Sequence, residues 1–314
     1  MRKDFALSPL PAGEVNERSE LGEGFRISPT QCPHPKSAMR FSTSPAGRGK
    51  TGFSLIELAI GLVIIGLLTG GILMGRGLLR NAEIKSVISE LEKYDSAVTM
   101  FEKKYDGLPG DIPNATDIWG AVNVVAATCE TTPSDGTLTC NGTDDRIIST
   151  GPGGTLQSER KHAVIQLKNA GYITGNFTGV GGPGGPTHEV AGVNQPAFPV
   201  SRSGMSMTTS IVSGGADPHY FDGVLNPTFH VGGQRSTGSF WTPIFTPEEM
   251  WSMDTKMDDG RPAYGRFQSL KSTSTLNPNC ATTAIASTAL YNLTNQAILC
   301  TVLYAGKSEV RREY

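Results

Sequence analysis

The chain has 314 residues, with 27 Lys and Arg against 29 Asp and Glu and a formal net charge of -2. That balance offers no basic field to a phosphate backbone, so a nucleic-acid partner is excluded. The 38 Gly and 20 Pro suit a loop-rich β domain more than a helical bundle.

Residues 1–38 hold Pro9, Pro11, Pro29, Pro33 and Pro35 among scattered charges, with no helical or strand period. Such a stretch builds no core and reads as a targeting or processing piece. Met39 is the expected start of translation, with 1–38 lying upstream of the message's true beginning; the alternative is an unusually long leader. Both readings remove Cys32. From Phe53 to Met74 the single charge is Glu57, in a run of about 22 residues that matches the roughly 30 Å of a bilayer core. The apolar character extends to Leu79. Arg48 and Lys50 precede the run, so its N-terminal side faces the cytoplasm and the chain after Arg80 lies across the membrane. A carboxylate at Glu57 costs about 2.5–3.5 kcal/mol on insertion scales and asks for a partner.

The string Lys50-Thr51-Gly52-Phe53-Ser54-Leu55-Ile56-Glu57 resembles the processing site of type IV prepilins and type II secretion pseudopilins. The resemblance implies cleavage by prepilin peptidase between Gly52 and Phe53 and methylation of Phe53. It makes Glu57 the carboxylate that pairs with a neighbouring subunit's terminal amine during assembly. A start at Met39 gives a leader of ordinary prepilin length. The resemblance covers Arg48 to about Phe101 well and the rest more loosely. Residues 1–52 are then a leader, 53–106 an N-terminal helix spanning the membrane to about residue 79, and 107–314 an exported domain.

Beyond the apolar run, Ile84, Val87, Ile88, Leu91, Tyr94, Val98 and Phe101 recur at three and four residues. Glu83, Lys85, Glu90, Glu92, Lys93 and Asp95 fall between them. With no Pro from Phe53 to Gly107, one helix of about 50 residues is expected, apolar all round in its first half and striped in its second. Gly66, Gly70, Gly71, Gly75 and Gly77 stand where many relatives carry a Pro. They mark either a place where the helix melts in a filament or small residues that allow close helix packing. Gly107 to Pro113 is the expected stop.

Residues 114–157 read as surface loop with short strands. Ser158 to Ala170 reads as a helix with Ala163, Val164 and Leu167 inward. Runs 187–192, 206–212, 219–224 and 227–232 are β-prone. Thr246-Pro247-Glu248-Glu249 opens a helix that runs to Met257, and Ala297 to Tyr304 closes the domain as a strand.

Without Cys32, the cysteines are Cys129, Cys140, Cys280 and Cys300, two local pairs that suit an oxidising compartment. Pairings Cys129–Cys140 and Cys280–Cys300 are favoured among three connectivities; a four-Cys zinc site lacks a close C-x2-C spacing. Gly179 to Gly184 matches G-x-G-x-x-G by letter, but Pro183 and Pro186 forbid the helix that must follow. Ser206 lacks the second Gly of a nucleophile elbow. Asp217, His219 and His230 form a weak candidate metal set. Asp254, Asp258 and Asp259 are the better candidates, as calcium ligands, since some pseudopilins hold calcium in a carboxylate-rich C-terminal loop. The Asn-x-Thr sites at Asn114, Asn141, Asn176 and Asn292 mark surface loops.

The expected fold is α+β and pilin-like: a long N-terminal helix, membrane half plus amphipathic half, packed on a loop-rich C-terminal antiparallel β domain. The expected function is that of a structural, non-enzymatic subunit of a type IV pilus-like or type II secretion pseudopilus filament. Prepilin peptidase, other pilin or pseudopilin subunits and an inner-membrane assembly platform are its partners. It begins in the inner membrane, N-terminus cytoplasmic and domain periplasmic, and ends in a filament. Its globular part, larger than that of a typical major subunit, points toward a minor pilin, a pseudopilin or an adhesive pilin. The alternative is a single-pass membrane-anchored periplasmic domain with binding or hydrolytic activity that does not polymerise.

Overall fold

The structure is a computed structural model that describes residues 52–123, 131–148, 158–212, 217–271, 274 and 279–307. Helix α1 spans Leu55–Tyr105, followed by α2 (Ala115–Trp119), α3 (Ser158–Asn169), β1 (Ser203–Val212), β2 (Gly223–Gly233), α4 (Pro247–Met257), β3 (Phe267–Gln268) and β4 (Val302–Ala305). The strands form one antiparallel sheet in the order β1-β2-β4-β3. A long helix joined to a C-terminal four-stranded sheet is the expected α+β, pilin-like layout.

Helix α1 has 51 residues and no Pro. The side chains from Ala59 to Leu79 are almost all exposed, Leu, Ile and Val included. From Ile84 onward the three-and-four spacing takes over, and Val87, Leu91, Tyr94, Val98 and Phe101 are buried. The five glycines lie inside unbroken helix with nothing near their α-carbons. The stop differs in detail from expectation. Asp106, with φ 54°, takes the left-handed position. Gly107 is needed for close approach instead, because a Cβ there would sit 2.6 Å from Ile112 Cγ2.

The sheet register explains the two faces. Met207 pairs with Phe229, Phe229 with Tyr304, and Tyr304 with Phe267, one row across all four strands. All four side chains are buried in the same core as the inner stripe of α1 and Ala163, Val164 and Leu167 of α3. One residue along, Ser206, His230, Leu303 and Gln268 form the row on the opposite face, as the period of two requires. That face is covered by Leu270, Tyr220 and Trp241.

Several short-range expectations give way to longer-range pairing. Of the expected run 219–224 only Gly223 and Val224 are strand, and they continue without a break through 227–232 as the single strand β2, Gly223–Gly233. The register of β1 against it shifts between Thr208 and Ser210, where Pro227 has no N–H to give the ladder. Run 187–192 has an isolated bridge only, Ala191 with Gln195. The closing strand is confined to Val302–Ala305, because Cys300 is bonded instead to Phe245 outside the sheet. Helix α2 and strand β3 are too short to leave a period in the sequence.

Asp95 was expected on the solvent face of α1 and is buried. Its Oδ1 accepts the Lys307 N–H (2.6 Å), and its Oδ2 accepts from Arg266 Nη2 (2.8 Å) and the Tyr304 hydroxyl (3.4 Å). The carboxylate therefore pins the last strand and its exit to the helix. Asp95→Ala strips three donors of their acceptor. Discounted for the partly exposed Arg266, we expect a loss of about 2–3 kcal/mol in urea denaturation, and Asp95→Asn to recover part of it.

A second tie lies lower on α1. Arg80 grips Glu249 through Nε (2.6 Å) and Nη2 (2.9 Å) and also holds Glu83 and the Ile244 carbonyl. Glu249 in turn closes the capping box at the start of α4: its carboxylate accepts the Thr246 N–H, and Thr246 Oγ1 accepts the Glu249 N–H. Burial alone would raise the Glu249 carboxyl, but the bonds from Arg80 and Thr246 outweigh it and hold it below the usual range.

Candidate functional site

Gly52, Phe53 and Ser54 precede the first turn of α1 and are exposed, Phe53 to 85 %. Ser54 is the residue that starts the helix. Its Oγ accepts the Ile56 N–H (3.3 Å), its carbonyl accepts the Leu58 N–H (3.2 Å), and its own N–H donates to Glu57 Oε2 (3.0 Å). This is a variant capping box, a Ser with a Glu three residues on, satisfying donors that the helix start leaves orphaned. The pattern Ser-x-x-Glu ahead of an apolar run is the local sequence signal for this cap. Glu57 thus has a local role through Oε2, and its Oε1 accepts no hydrogen bond among the described residues. The carboxylate sits in the first helical turn, where the helix dipole favours a negative charge. Around it Leu55, Ile56, Leu58 and Phe53 are exposed and apolar. An acidic oxygen that can accept from a cationic donor, set in an otherwise uncharged and mostly apolar helical surface, is the chemistry this end provides. Arg48, Lys50 and Thr51 lie outside the described residues.

The Cys280–Cys300 disulfide is present, closing a loop of sequence separation 20. A crosslink over a loop of that size stabilises by about 3 kcal/mol in the chain-entropy account. Cys140 is buried and disulfide-bonded, while Cys129, its expected partner, lies outside the described residues.

Asp254, Asp258 and Asp259 do come together, each offering an oxygen within 4.8 Å of the others; among the described residues this is the one group of three acidic, His or Cys side chains that does so. Asp254 is buried and its carboxyl is pushed up to about 7 by that burial, with the charges of Asp259 and Asp258 adding to it. All three carboxylates also hold the turn after α4. Asp254 accepts from the Tyr291 hydroxyl (2.8 Å) and the Gly260 N–H (3.1 Å), Asp259 from the Arg261 N–H (2.8 Å), and Asp258 from the Arg266 N–H. Their oxygens suit a hard cation. They would supply roughly half or less of a calcium shell, which takes six to eight oxygens, and water would complete it.

The weaker metal set does not assemble. Asp217 accepts from the backbone N–H groups of His219 and Tyr220, His219 Nδ1 faces Ser274 Oγ at 3.0 Å, and His230 packs against the Trp241 ring at 4.2 Å. Ser206 and His230 oppose each other across β1 and β2, both buried, with no hydrogen-bond partner among the described residues for Ser206 Oγ or either ring nitrogen. The loop from Gly179 to Pro186 leads into no helix, as its prolines require.

Burial lowers both His162 and His230 from the ordinary 6.5 to about 3, with Lys161 and Arg160 adding to it respectively. Below pH 6.5 the unfolded chain binds two protons that the folded one refuses, so each histidine costs about 1.4 kcal/mol of stability per pH unit of acidification. Asp254 works in the opposite sense, since folding raises its carboxyl from 3.8 to about 7. For these three groups the net is about one proton from pH 6.5 to 3.8 and two from there to about pH 3, below which the folded histidines are protonated as well. Urea midpoints should therefore fall on acidification through this window, and His230→Gln should flatten the slope.

Residues 47–73 match the family model described as the prokaryotic N-terminal methylation motif. No curated protein and no solved structure matches the chain. The matched stretch contains Gly52, Phe53, Ser54 and Glu57 and the exposed apolar half of α1, so this chain carries the N-terminal signature of type IV pilins and pseudopilins.

Proposed function

We propose that the chain is a structural subunit of a type IV pilus-like or type II secretion pseudopilus filament. One observation carries the reading: Gly52-Phe53 opens an exposed apolar helix whose only charge before Arg76 is Glu57. Prepilin peptidase cuts between Gly52 and Phe53, removing residues 1–52, and Phe53 becomes the methylated N-terminus. Residues 53 to about 79 span the inner membrane with the N-terminus cytoplasmic, and the domain from 107 onward is periplasmic. In the filament the apolar halves bundle, and Glu57 Oε1 accepts the terminal amine of a neighbouring subunit while Oε2 keeps capping its own helix. The chemistry is assembly rather than catalysis, with the assembly platform and other pilins as partners.

Mass spectrometry of the protein purified from its native membrane tests this first. A chain beginning at Phe53 with one extra methyl group is expected. An intact leader would leave Glu57 without its amine and favour an anchored, non-polymerising domain.

A further inference from the structure

Between Cys280 and Cys300 the sequence contains no Asp, Glu, Lys, Arg or His. The segment is held at its base. The disulfide joins its ends, Ala281 bridges Tyr291, and the Tyr291 hydroxyl is bonded to Asp254 at 2.8 Å. Above that base Ile285, Leu290, Leu293 and Ile298 are 63, 56, 44 and 58 % exposed. Single exposed aliphatics are ordinary on a protein surface, but four in one uncharged loop mark a contact with something apolar.

The position of the loop says what that is. The N–H groups of Leu299 and Cys300 both donate to the Phe245 carbonyl (2.9 Å each), and the Ile244 N–H donates to the Cys300 carbonyl (2.9 Å). The Phe245 ring lies 5.4 Å beneath the Arg80 guanidinium, which also holds the Ile244 carbonyl. Arg76 and Arg80 end the exposed apolar half of α1, the place where basic side chains meet the lipid headgroups. Trp251 stands 43 % exposed on α4, two residues beyond the Glu249 that grips Arg80, and exposed Trp is enriched at that same depth. The loop's root is therefore at the level where the apolar surface of the helix ends. The loop itself, residues 281–299, offers a charged partner no charge to pair with, whereas a bilayer accepts uncharged aliphatic side chains.

We infer that the Cys280–Cys300 loop is a second membrane contact, laying its aliphatic side chains into the lipid interface beside the helix before the subunit enters a filament. The inference rests on the anchoring of α1 proposed above. The disulfide's part is to hold the loop's root at the level of Arg80.

The test uses the full chain reconstituted at low protein density in phosphatidylcholine bilayers containing a diazirine-bearing acyl chain, followed by photolysis and peptide mapping. Label is expected in residues 59–74 and in 280–300. Ile298→Asp or Leu293→Asp should each cut the loop's label about tenfold while the helix label stays unchanged. Label in the helix alone would overturn the inference and leave the anchoring intact. Loop label that rises only with protein density would reassign the patch to contact between copies. Label in neither segment would remove the anchoring reading and this inference together.

Discussion

Replacing Glu57 by Gln is expected to lower incorporation into filaments about 100-fold, with the melting temperature of the globular domain unchanged. A carboxylate in a membrane helix is worth about 2.5–3.5 kcal/mol of unfavourable insertion energy, and a partner that offsets it drives assembly by a similar amount. Gln removes both the penalty and the attraction, so the assembled state loses its advantage over the free subunit. The amide carbonyl can still accept the Ser54 N–H that Glu57 Oε2 holds at 3.0 Å. Glu57→Ala loses that cap as well, at about 1 kcal/mol, which frays the first turn. Co-sedimentation of wild type, Glu57→Gln and Glu57→Ala with assembled filaments separates the two roles. If Gln assembles as the wild type does and Ala does not, Glu57 is a helix cap and no more.

The largest stability loss is expected at Phe101. Its side chain is fully buried, packs 4.6 Å from the Tyr105 ring and 6.2 Å from that of Trp119, and joins the end of α1 to α2. Phe→Ala in such a site removes transfer energy and leaves a cavity, about 3–5 kcal/mol together. For a domain of this size that corresponds to a melting temperature lower by roughly 10 °C. Phe101→Leu, which keeps most of the volume, should lose less than half as much. Thermal denaturation followed by near-ultraviolet circular dichroism checks both, because Tyr105 and Trp119 report on the same cluster. An Ala variant within about 1 kcal/mol of wild type would mean that α2 packs loosely on the helix end.

What could be read along the chain was whatever depends on near neighbours. The extent of α1, the change from apolar all round to a stripe at Ile84, and the α3 helix with Ala163, Val164 and Leu167 inward all follow from a period of 3.6 residues. The start of α4 follows from the Thr246-Pro247 pair and Glu249, which satisfy the helix's own first donors. Gly52, Phe53 and Glu57 are legible for the same reason, as a motif contiguous in sequence and matched over 47–73.

The rest was decided by partners far away in the chain. Asp95 looks like any solvent-facing acid on an amphipathic helix, and only the return of Arg266, Tyr304 and Lys307 makes it a buried acceptor. Arg80 reads as the end of a membrane run, yet it also fixes residues 244 and 249. Strand β3 is two residues long and exists because Tyr304 offers Phe267 an edge to pair with. Asp217, His219 and His230 share a stretch of sequence but not a site, since backbone N–H groups, Ser274 and Trp241 claim them separately. A helical period, a cap or a processing motif is satisfied within a few residues and is therefore written locally. A buried carboxylate, a sheet edge or an exposed loop acquires its meaning only when the chain has closed around it.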